Sequence, residues 1–210
     1  MNETTKTPSE TLVEISLNDK KISAPSGSTI LDVCKQANIK TPTLCWAENL
    51  TPVNACRVCV VEVEGSRALV PSCSRPIEEG MVVSTDSERV NTSRRMVLEL
   101  LASSVELDRA DKELLEWIIH YGSNPDRMGN SNEIKTSKQP VKIQDDLYVR
   151  DYERCILCYK CVEACGEEAQ HTFAITTAGR GFEAHISTEF DIELPDSACV
   201  YCGNCIGVCP

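Results

Sequence analysis

The sequence has few aromatic residues, no long apolar run and no excess of basic residues. Aromatics make up 5% of its 210 residues, so the large side chains that dominate hydrophobic cores are scarce. The longest apolar stretch, residues 96–104, contains Glu99 and is far shorter than the roughly 20 residues that span a bilayer, so we expect no membrane span. A net charge of -11 is opposite to the basic footprint of nucleic-acid binding, so no nucleic-acid partner is predicted.

The amino terminus lacks the features of a secretory signal. Residues 1–10 are polar and lack the charged, apolar and small-residue regions of a signal peptide, which predicts a flexible tail and a cytoplasmic location. Disulfides are rare in a reducing compartment, so the 13 cysteines indicate metal binding. Metal sites would also stabilise a chain whose core is thin.

Hydrophobic periodicity divides the chain into three segments and indicates an α+β protein. Residues 11–85 alternate apolar and polar positions around one short helical stretch, which predicts a small mixed sheet with one helix. Residues 86–146 are predicted to form a helical connector that ends in a polar crossover. Residues 147–210 form a cysteine-rich module that contains an internal repeat.

The connector contains two predicted amphipathic helices, near residues 87–104 and 111–121, with Gly122 ending the second. Their predicted apolar faces consist of Val90, Val97, Leu100 and Leu101 in the first helix, and Leu114, Leu115, Ile118 and Ile119 in the second.

The internal repeat consists of two cysteine runs, CILCYKCVEAC at residues 155–165 and CVYCGNCIGVC at residues 199–209. Both have the spacing C-x2-C-x2-C-x3-C of bacterial ferredoxins, in which three cysteines bind one [4Fe-4S] cluster and the fourth binds the other. The pattern therefore predicts two clusters with crossed ligands. The first takes Cys155, Cys158, Cys161 and Cys209, and the second takes Cys199, Cys202, Cys205 and Cys165.

Zinc is the alternative metal for these runs. Structural four-cysteine zinc sites use two separated C-x2-C knuckles rather than a triplet, so the repeated triplet favours iron-sulfur clusters. His171 and His185 lie between the runs, but the cysteines already complete the sites. Both histidines are therefore predicted to be packing or surface residues.

Four more cysteines lie in the first segment with the spacing C-x10-C-x2-C-x13-C, namely Cys45, Cys56, Cys59 and Cys73. The plant-type [2Fe-2S] spacing, C-x4-C-x2-C with a distant fourth cysteine, is similar but has a shorter first gap. Spacing alone leaves a zinc site open, whereas the neighbouring redox clusters favour a third redox centre. Cys34 is left over and is predicted to be a small buried residue of the helix.

The sequence resembles a known electron-input module at TILDVCKQANIKTPTLCW, ACRVCVVEVEG, RRMVLELL and the two cysteine runs. This module is the amino-terminal region shared by the large iron-sulfur subunit of bacterial NADH dehydrogenase, multimeric [FeFe] hydrogenases and NAD-linked formate dehydrogenases. The resemblance covers residues 11 to 210. It implies a β-grasp [2Fe-2S] ferredoxin domain, a short helical connector and a bacterial-type 2x[4Fe-4S] ferredoxin domain. The [2Fe-2S] ligands that it implies are Cys45, Cys56, Cys59 and Cys73.

The sequence departs from this family in three places. Many members carry H-x3-C-x2-C-x5-C after the RRMVLELL helix, but here Val105 and Arg109 occupy the first two ligand positions, so that [4Fe-4S] cluster is expected to be absent. The nearest histidine, His120, is then predicted to be a helix-surface residue. Gly166 replaces the proline that commonly follows the first run. The sequence also stops where relatives continue into a catalytic domain.

The resemblance implies an electron-transfer subunit with no catalytic residues of its own. Such a subunit relays electrons between flavin and other redox centres in a multisubunit NAD(P)-linked oxidoreductase, and similar small subunits occur in electron-bifurcating hydrogenase and transhydrogenase complexes. The implied partners are a flavin-containing NAD(P)-linked subunit, a further redox subunit and soluble ferredoxin. Two alternatives stay open: an electron-input fragment of a longer hydrogenase or formate dehydrogenase, and a zinc-stabilised interaction module.

Overall fold

The structure, a computed structural model, describes residues 11–108, 110–128 and 140–210. It divides into two compact units, the first made of the described residues up to Thr41 together with Cys59–Val90, and the second of Pro42–Val58 and the described residues from Asn91 to Pro210. The loop 42–58 of the predicted first segment thus groups with the later part of the chain. The predicted tail at residues 1–10 lies outside the described residues.

The first unit is built on a mixed sheet, which has five strands among the described residues in the order β2-β1-β5-β3-β4. β1 and β5 pair in parallel, and the other neighbours pair antiparallel. The predicted opening hairpin is present and turns through Asn18 and Asp19, which both have positive φ. The strands are β1 (Leu12–Leu17), β2 (Lys20–Pro25), β3 (Val60–Val63), β4 (Val70–Pro71) and β5 (Val82–Ser84).

One short helix, α1 (Ile30–Gln36), packs on this sheet. It begins at Thr29, whose hydroxyl accepts a hydrogen bond from the Asp32 N–H at 3.2 Å while the Asp32 carboxylate accepts one from the Thr29 N–H at 2.8 Å. Cys34 lies on the buried face of α1, as the sequence predicted. The core of the unit consists of Ile15, Leu17, Ala24, Ile30, Val33, Cys34, Val61, Ile77, Met81 and Val83.

The connector contains the two longest described helices, α2 (Glu88–Ala102) and α3 (Lys112–His120). In the second unit, Leu98 of α2 and Leu114 of α3 share a core with Leu44 and Val58. The chain leaves α3 at Gly122, where φ is 60°, and the predicted helix stop is therefore found.

The predicted apolar faces of these helices are partly wrong. Leu100 and Ile119 are 53% and 78% exposed, whereas the buried row of α2 consists of residues spaced four apart: Val90, Arg94, Leu98 and Ala102. Because Arg94 is polar, the spacing of apolar residues does not predict this buried row. Arg94 is buried because its guanidinium donates to the Tyr121 hydroxyl at 2.8 Å and lies 5.8 Å from the centre of that ring.

A second polar contact joins α2 to the segment after α3. The buried carboxylate of Glu99 accepts hydrogen bonds from the Asn124 N–H at 3.2 Å and from the Arg127 Nε at 3.0 Å. The hydrogen bonds from Arg127 hold the pKa of Glu99 below its ordinary value. The connector is thus held by ion pairing as well as by apolar packing.

The rest of the second unit consists of short elements around a small core. Tyr148, Ile175, Ile186 and Leu194 form this core, and cysteines of both runs pack against it. None of the helices in the described ranges combines the length and the apolarity needed to cross a membrane. The elements are β6 (Lys142–Ile143), β7 (Val149–Arg150), α4 (Lys160–Cys165), β8 (Thr176–Ala178), β9 (His185–Ser187) and α5 (Asn204–Gly207).

Candidate metal centres

The first cysteine run passes from a 3-10 turn into a short helix. Cys155 directly follows the turn Tyr152–Arg154, and Cys158 is buried in the loop before α4. Cys161 and Cys165 both lie on α4, four residues apart, so their side chains lie on one face of that helix.

The second run repeats this local backbone. In each run, the residues two and four positions after the first cysteine are left-handed: Leu157 and Tyr159 have φ of 51° and 62°, and Tyr201 and Gly203 have φ of 57° and 76°. Left-handed residues in such loops turn consecutive backbone N–H groups toward one side, which suits a negatively charged centre. The Tyr201 N–H accordingly donates to Cys199 Sγ at 3.4 Å.

The charge of Cys209 acts on three thiols of the first run. The pKa of Cys158 is raised to about 11 and that of Cys161 to about 12, chiefly by burial, and the charge of Cys209 contributes to both shifts. Burial also raises the pKa of Cys155, where Cys209 acts in the same direction and the Leu157 amide opposes it. The last cysteine of the second run therefore lies near the triplet of the first.

The reciprocal contact is made by Cys165. Burial raises the pKa of Cys205, and the charges of Cys202, Cys199 and Cys165 add to the effect in that order. The fourth cysteine of the first run therefore lies near the triplet of the second. The crossed ligand sets stay a prediction from the spacing, because the charge of Cys205 acts on Cys161 as well.

The four cysteines of the amino-terminal set fall into two pairs, one in each compact unit. In the first unit, Cys59 and Cys73 are buried and their sulfurs lie 3.4 Å apart. Cys59 directly precedes β3, and Cys73 follows β4 by one residue. The antiparallel pairing of these two strands thus brings the two thiols together.

The other pair, Cys45 and Cys56, belongs to the loop 42–58 of the second unit. The Cys56 N–H donates to Cys45 Sγ at 3.5 Å. The hydrogen bond between the two thiols, reinforced by backbone N–H groups, lowers the pKa of Cys45 to about 6. Asn54 and Arg57 lie on either side of Cys56 with φ of 62° and 59°, so this loop has left-handed residues like those in the two cysteine runs.

The donor chemistry of these sites suits iron-sulfur clusters. Thiolates are soft ligands, and partly buried thiols that receive backbone N–H groups are the surroundings in which clusters are held. Within the described ranges, no three His, Cys, Asp or Glu side chains are grouped as ligands of a single metal ion. A cluster imposes a different requirement, since each cysteine binds a different iron in a [4Fe-4S] cluster and two cysteines bind each iron in a [2Fe-2S] cluster.

The contacts of His120 and His185 are with aromatic rings and a backbone carbonyl oxygen. His120 is exposed and packs edge-on against Trp117 and Tyr121, and His171 is exposed in the loop after α4. His185 Nδ1 lies 2.8 Å from the Glu183 carbonyl oxygen. At the position where the resemblance would place a histidine ligand, Val105 is buried, while Arg109 lies outside the described residues.

Sequence reasoning missed two groups that contact Cys165. The Ala174 N–H donates to Cys165 Sγ at 3.2 Å, and the Thr172 hydroxyl lies 3.3 Å from the same sulfur. Neither residue belongs to a cysteine motif. The one signal in the sequence was the glycine at position 166, which marks a different exit from the first run.

Family comparisons divide the chain in the same way as its cysteines. A family described as "2Fe-2S iron-sulfur cluster binding domain" matches residues 10–88, which include all four cysteines of the amino-terminal set. A family described as "4Fe-4S dicluster domain" matches residues 154–210, which include both runs.

Longer proteins resemble nearly the whole chain. The NADP-reducing hydrogenase subunit HndD of Solidesulfovibrio fructosivorans is 37% identical over 95% of this chain and 35% of its own length. The mitochondrial NADH-ubiquinone oxidoreductase 78 kDa subunit of Candida albicans is 33% identical over 94% of this chain and 28% of its own length. The chain thus spans about a third or less of these relatives.

A solved structure extends the likeness to three dimensions. The crystal structure of an NAD+-reducing [NiFe]-hydrogenase in the H2-reduced state matches 90% of this chain and 80% of its own chain, with a TM-score of 0.76 and 25% identity. The resemblance predicted from the sequence is therefore confirmed. The chain carries a 2Fe-2S iron-sulfur cluster binding domain followed by a 4Fe-4S dicluster domain, and it is similar to part of an NADP-reducing hydrogenase subunit and of an NADH-ubiquinone oxidoreductase subunit.

Proposed function

We propose that this chain is an electron-transfer subunit that relays electrons between flavin and other redox centres of a multisubunit NAD(P)-linked oxidoreductase. The observation that carries the proposal is the packing of α4 in the first run against α5 in the second, with cysteines of both runs bordering one small core. Two adjacent runs of four cysteines would supply two four-thiolate sites close together, and clusters bound there would exchange electrons.

The proposed cofactors are one [2Fe-2S] and two [4Fe-4S] clusters. A β-grasp domain at residues 11–85 would hold the [2Fe-2S] cluster through Cys45, Cys56, Cys59 and Cys73, and a 2x[4Fe-4S] domain at residues 147–210 would hold the other two through the crossed cysteine sets. Residues 86–146 would form a helical connector without a cluster. The buried Arg94 and Glu99 contacts support this part of the proposal, because they hold the connector without thiol ligands.

The cysteines would bind the clusters, and backbone N–H groups would donate to their sulfurs. When bound, the clusters supply reversible one-electron reduction. Each cysteine provides a thiolate, and the amides of Leu157 and Tyr201 face Cys155 and Cys199. Burial of the first-run thiols raises their pKa values and disfavours free thiolate, so these thiols gain from binding a cation.

The partners would be a flavin-containing NAD(P)-linked subunit and a further redox subunit, with soluble ferredoxin as another electron carrier. The names of the similar proteins support this proposal, since they include an NADP-reducing hydrogenase subunit and an NADH-ubiquinone oxidoreductase subunit. The location that we propose is the cytoplasm, where the cysteines stay reduced.

The proposal is tested by metal analysis and reductive titration of anaerobically prepared protein. We expect about ten irons and about ten sulfides per chain, about three electrons taken up, and EPR signals of both cluster types. About eight irons with no [2Fe-2S] signal would remove the amino-terminal centre. Zinc without iron would reject the electron-transfer function and favour the zinc-stabilised interaction module.

Crossed ligation is tested by replacing the fourth cysteine of each run with serine, one at a time. We expect Cys209→Ser to damage the cluster of the first triplet and Cys165→Ser to damage the cluster of the second. The EPR signal of each cluster measures the damage. Cys34→Ala is the control, because Cys34 is buried in the α1 core, and it should retain all the iron. Loss of the cluster held by the triplet of the same run as the substituted cysteine would show that ligation is not crossed.

A second candidate is an electron-input portion of a longer hydrogenase or formate dehydrogenase. It is favoured by the length of the relatives, since the chain matches 35% of the hydrogenase subunit. Intact-mass measurement on protein purified from its native source separates the two. A mass near 23.2 kDa supports the separate subunit, and a much larger mass supports the portion of a longer enzyme.

A further inference from the structure

The segment that follows the first cysteine run folds back onto Cys165. The Thr172 and Phe173 N–H groups both donate to the Cys165 carbonyl oxygen, at 3.1 and 3.0 Å. The next residue, Ala174, donates its N–H to the Cys165 sulfur at 3.2 Å. Consecutive amides of one loop thus enclose a single cysteine, which fixes the loop relative to the sulfur.

This fold-back places a side-chain hydroxyl at the same sulfur. Thr172 Oγ1 lies 3.3 Å from Cys165 Sγ and 3.4 Å from the Cys165 carbonyl oxygen, which already accepts two backbone N–H groups. A cluster-bound sulfur is a thiolate and has no proton to donate, so the hydroxyl is the donor in that contact. The charged sulfur is also the stronger of the two acceptors.

Gly166 permits this arrangement. Its N–H donates to the Val162 carbonyl oxygen at 2.8 Å, a bond that proline cannot make. A Cβ at this position would lie 3.2 Å from Phe173 Cε1, so the absence of a side chain leaves room for the Phe173 ring. The departure from proline at this position is thus coupled to the loop that carries Thr172.

We propose that Thr172 is a positioning residue that acts through Cys165 to set the reduction potential of the second [4Fe-4S] cluster. This inference rests on the proposed function, in which Cys165 is the fourth ligand of that cluster. A hydrogen bond to a ligand sulfur offsets negative charge and therefore stabilises the reduced cluster more than the oxidised one. The Thr172 hydroxyl raises the potential of the second cluster.

The experiment is an anaerobic potentiometric titration of the full chain, followed by EPR, in wild type, Thr172→Val and Thr172→Ser. We expect the midpoint potential of one [4Fe-4S] cluster to shift to a more negative value in T172V and to stay near the wild-type value in T172S. The affected signal should be the one that Cys165→Ser also perturbs. The matched control is Thr177→Val on the exposed part of β8, which should shift neither cluster.

Other outcomes overturn the inference. Unchanged potentials in T172V would mean that the hydroxyl serves the carbonyl oxygen instead of the sulfur. An equal shift of both clusters would assign Thr172 a general effect on the domain. Selective loss of the second cluster from both T172V and Thr172→Ala would make Thr172 a residue of cluster retention rather than of potential.

The failure of the proposed function looks different. Wild-type protein without [4Fe-4S] signals or with little iron would reject that function before any variant is compared. Intact wild-type clusters with an unshifted T172V would reject the Thr172 inference alone.

Discussion

At the scale of the residue, backbone conformation distinguishes the two runs less than their side chains do. The position four residues after the first cysteine is left-handed in both runs, yet it is Tyr159 in one and Gly203 in the other. A residue with a Cβ meets a steric cost of roughly 1–2 kcal/mol in this conformation, whereas glycine does not. At this position the first run therefore carries backbone strain that the second avoids.

The strain argument predicts the effect of adding a methyl group at Gly203. A Cβ there would meet no atom within 4 Å, so the cost of Gly203→Ala comes from its φ of +76° alone. We expect a loss of about 1 kcal/mol, or roughly 2–4 °C in the anaerobic thermal midpoint. Gly207→Ala is the matched control, since Gly207 also has open space but no positive φ, and it should not destabilise. Equal losses in both variants would refute the argument.

Residue chemistry also explains which parts of the site could be predicted from the sequence. Cysteine spacing is local, so it predicts ligands for the proposed [4Fe-4S] clusters and their crossed order, and both stay predictions. Thr172 contacts Cys165 because a loop folds back through left-handed residues at His171 and Phe173. No regular pattern predicts left-handed conformations at histidine or phenylalanine, so this contact required a structure.

At the scale of the element, α2 shows how one polar residue can conceal a buried row. Val90, Arg94 and Leu98 follow one another at four-residue spacing, and an apolar pattern is interrupted at Arg94. The apolar residues of the neighbouring row predicted a face that includes Leu100, which in fact lines a cavity of ≈ 380 Å³. The existence of α2 could be predicted, but its orientation depended on the long-range partner Tyr121.

The orientation of α2 predicts unequal effects of two leucine substitutions. Leu98→Ala should cost about 2–5 kcal/mol, because Leu98 is 0% exposed and its loss leaves a cavity in the shared core of α2 and α3. Leu100→Ala should cost less than about 1 kcal/mol, since Leu100 is 53% exposed. Denaturant unfolding of both variants measures the difference. Similar losses would mean that the Leu100 side chain is covered in the protein.

At the scale of the whole molecule, the core of the first unit and the small core beside the cysteine runs differ in the residues that surround them. The core of the first unit is made mainly of aliphatic residues from strands and one helix. The small core of Tyr148, Ile175, Ile186 and Leu194 is instead bordered by cysteines of both runs, and its elements are two to six residues long. Short elements around a small core need additional links, which bound metal can supply.

This contrast predicts the response to removal of iron. After anaerobic chelation, the amides of β1 and α1 should keep their protection from hydrogen exchange, whereas peptides from β8 to α5 should lose theirs. Hydrogen exchange followed by mass spectrometry on chelated and mock-treated protein makes the comparison. Simultaneous loss of protection in both regions would show that the first unit also depends on bound metal.

The extent of sequence-based prediction follows the range of the interactions involved. The hairpin of β1 and β2 and the helix α1 depend on alternation and on a local cap, so they were predicted correctly. The grouping of residues 42–58 with the later part of the chain depends on distant packing of Leu44 and Val58 with Leu98, and no local pattern indicates it.

The matching left-handed residues of the two runs have a consequence for the direction of electron flow. Matching backbone by itself would give the two proposed [4Fe-4S] clusters no difference in reduction potential. A preference must then come from groups that the repeat does not share, such as Thr172 beside Cys165. The side chains that the repeat does not share would then set any difference in reduction potential between the two proposed clusters.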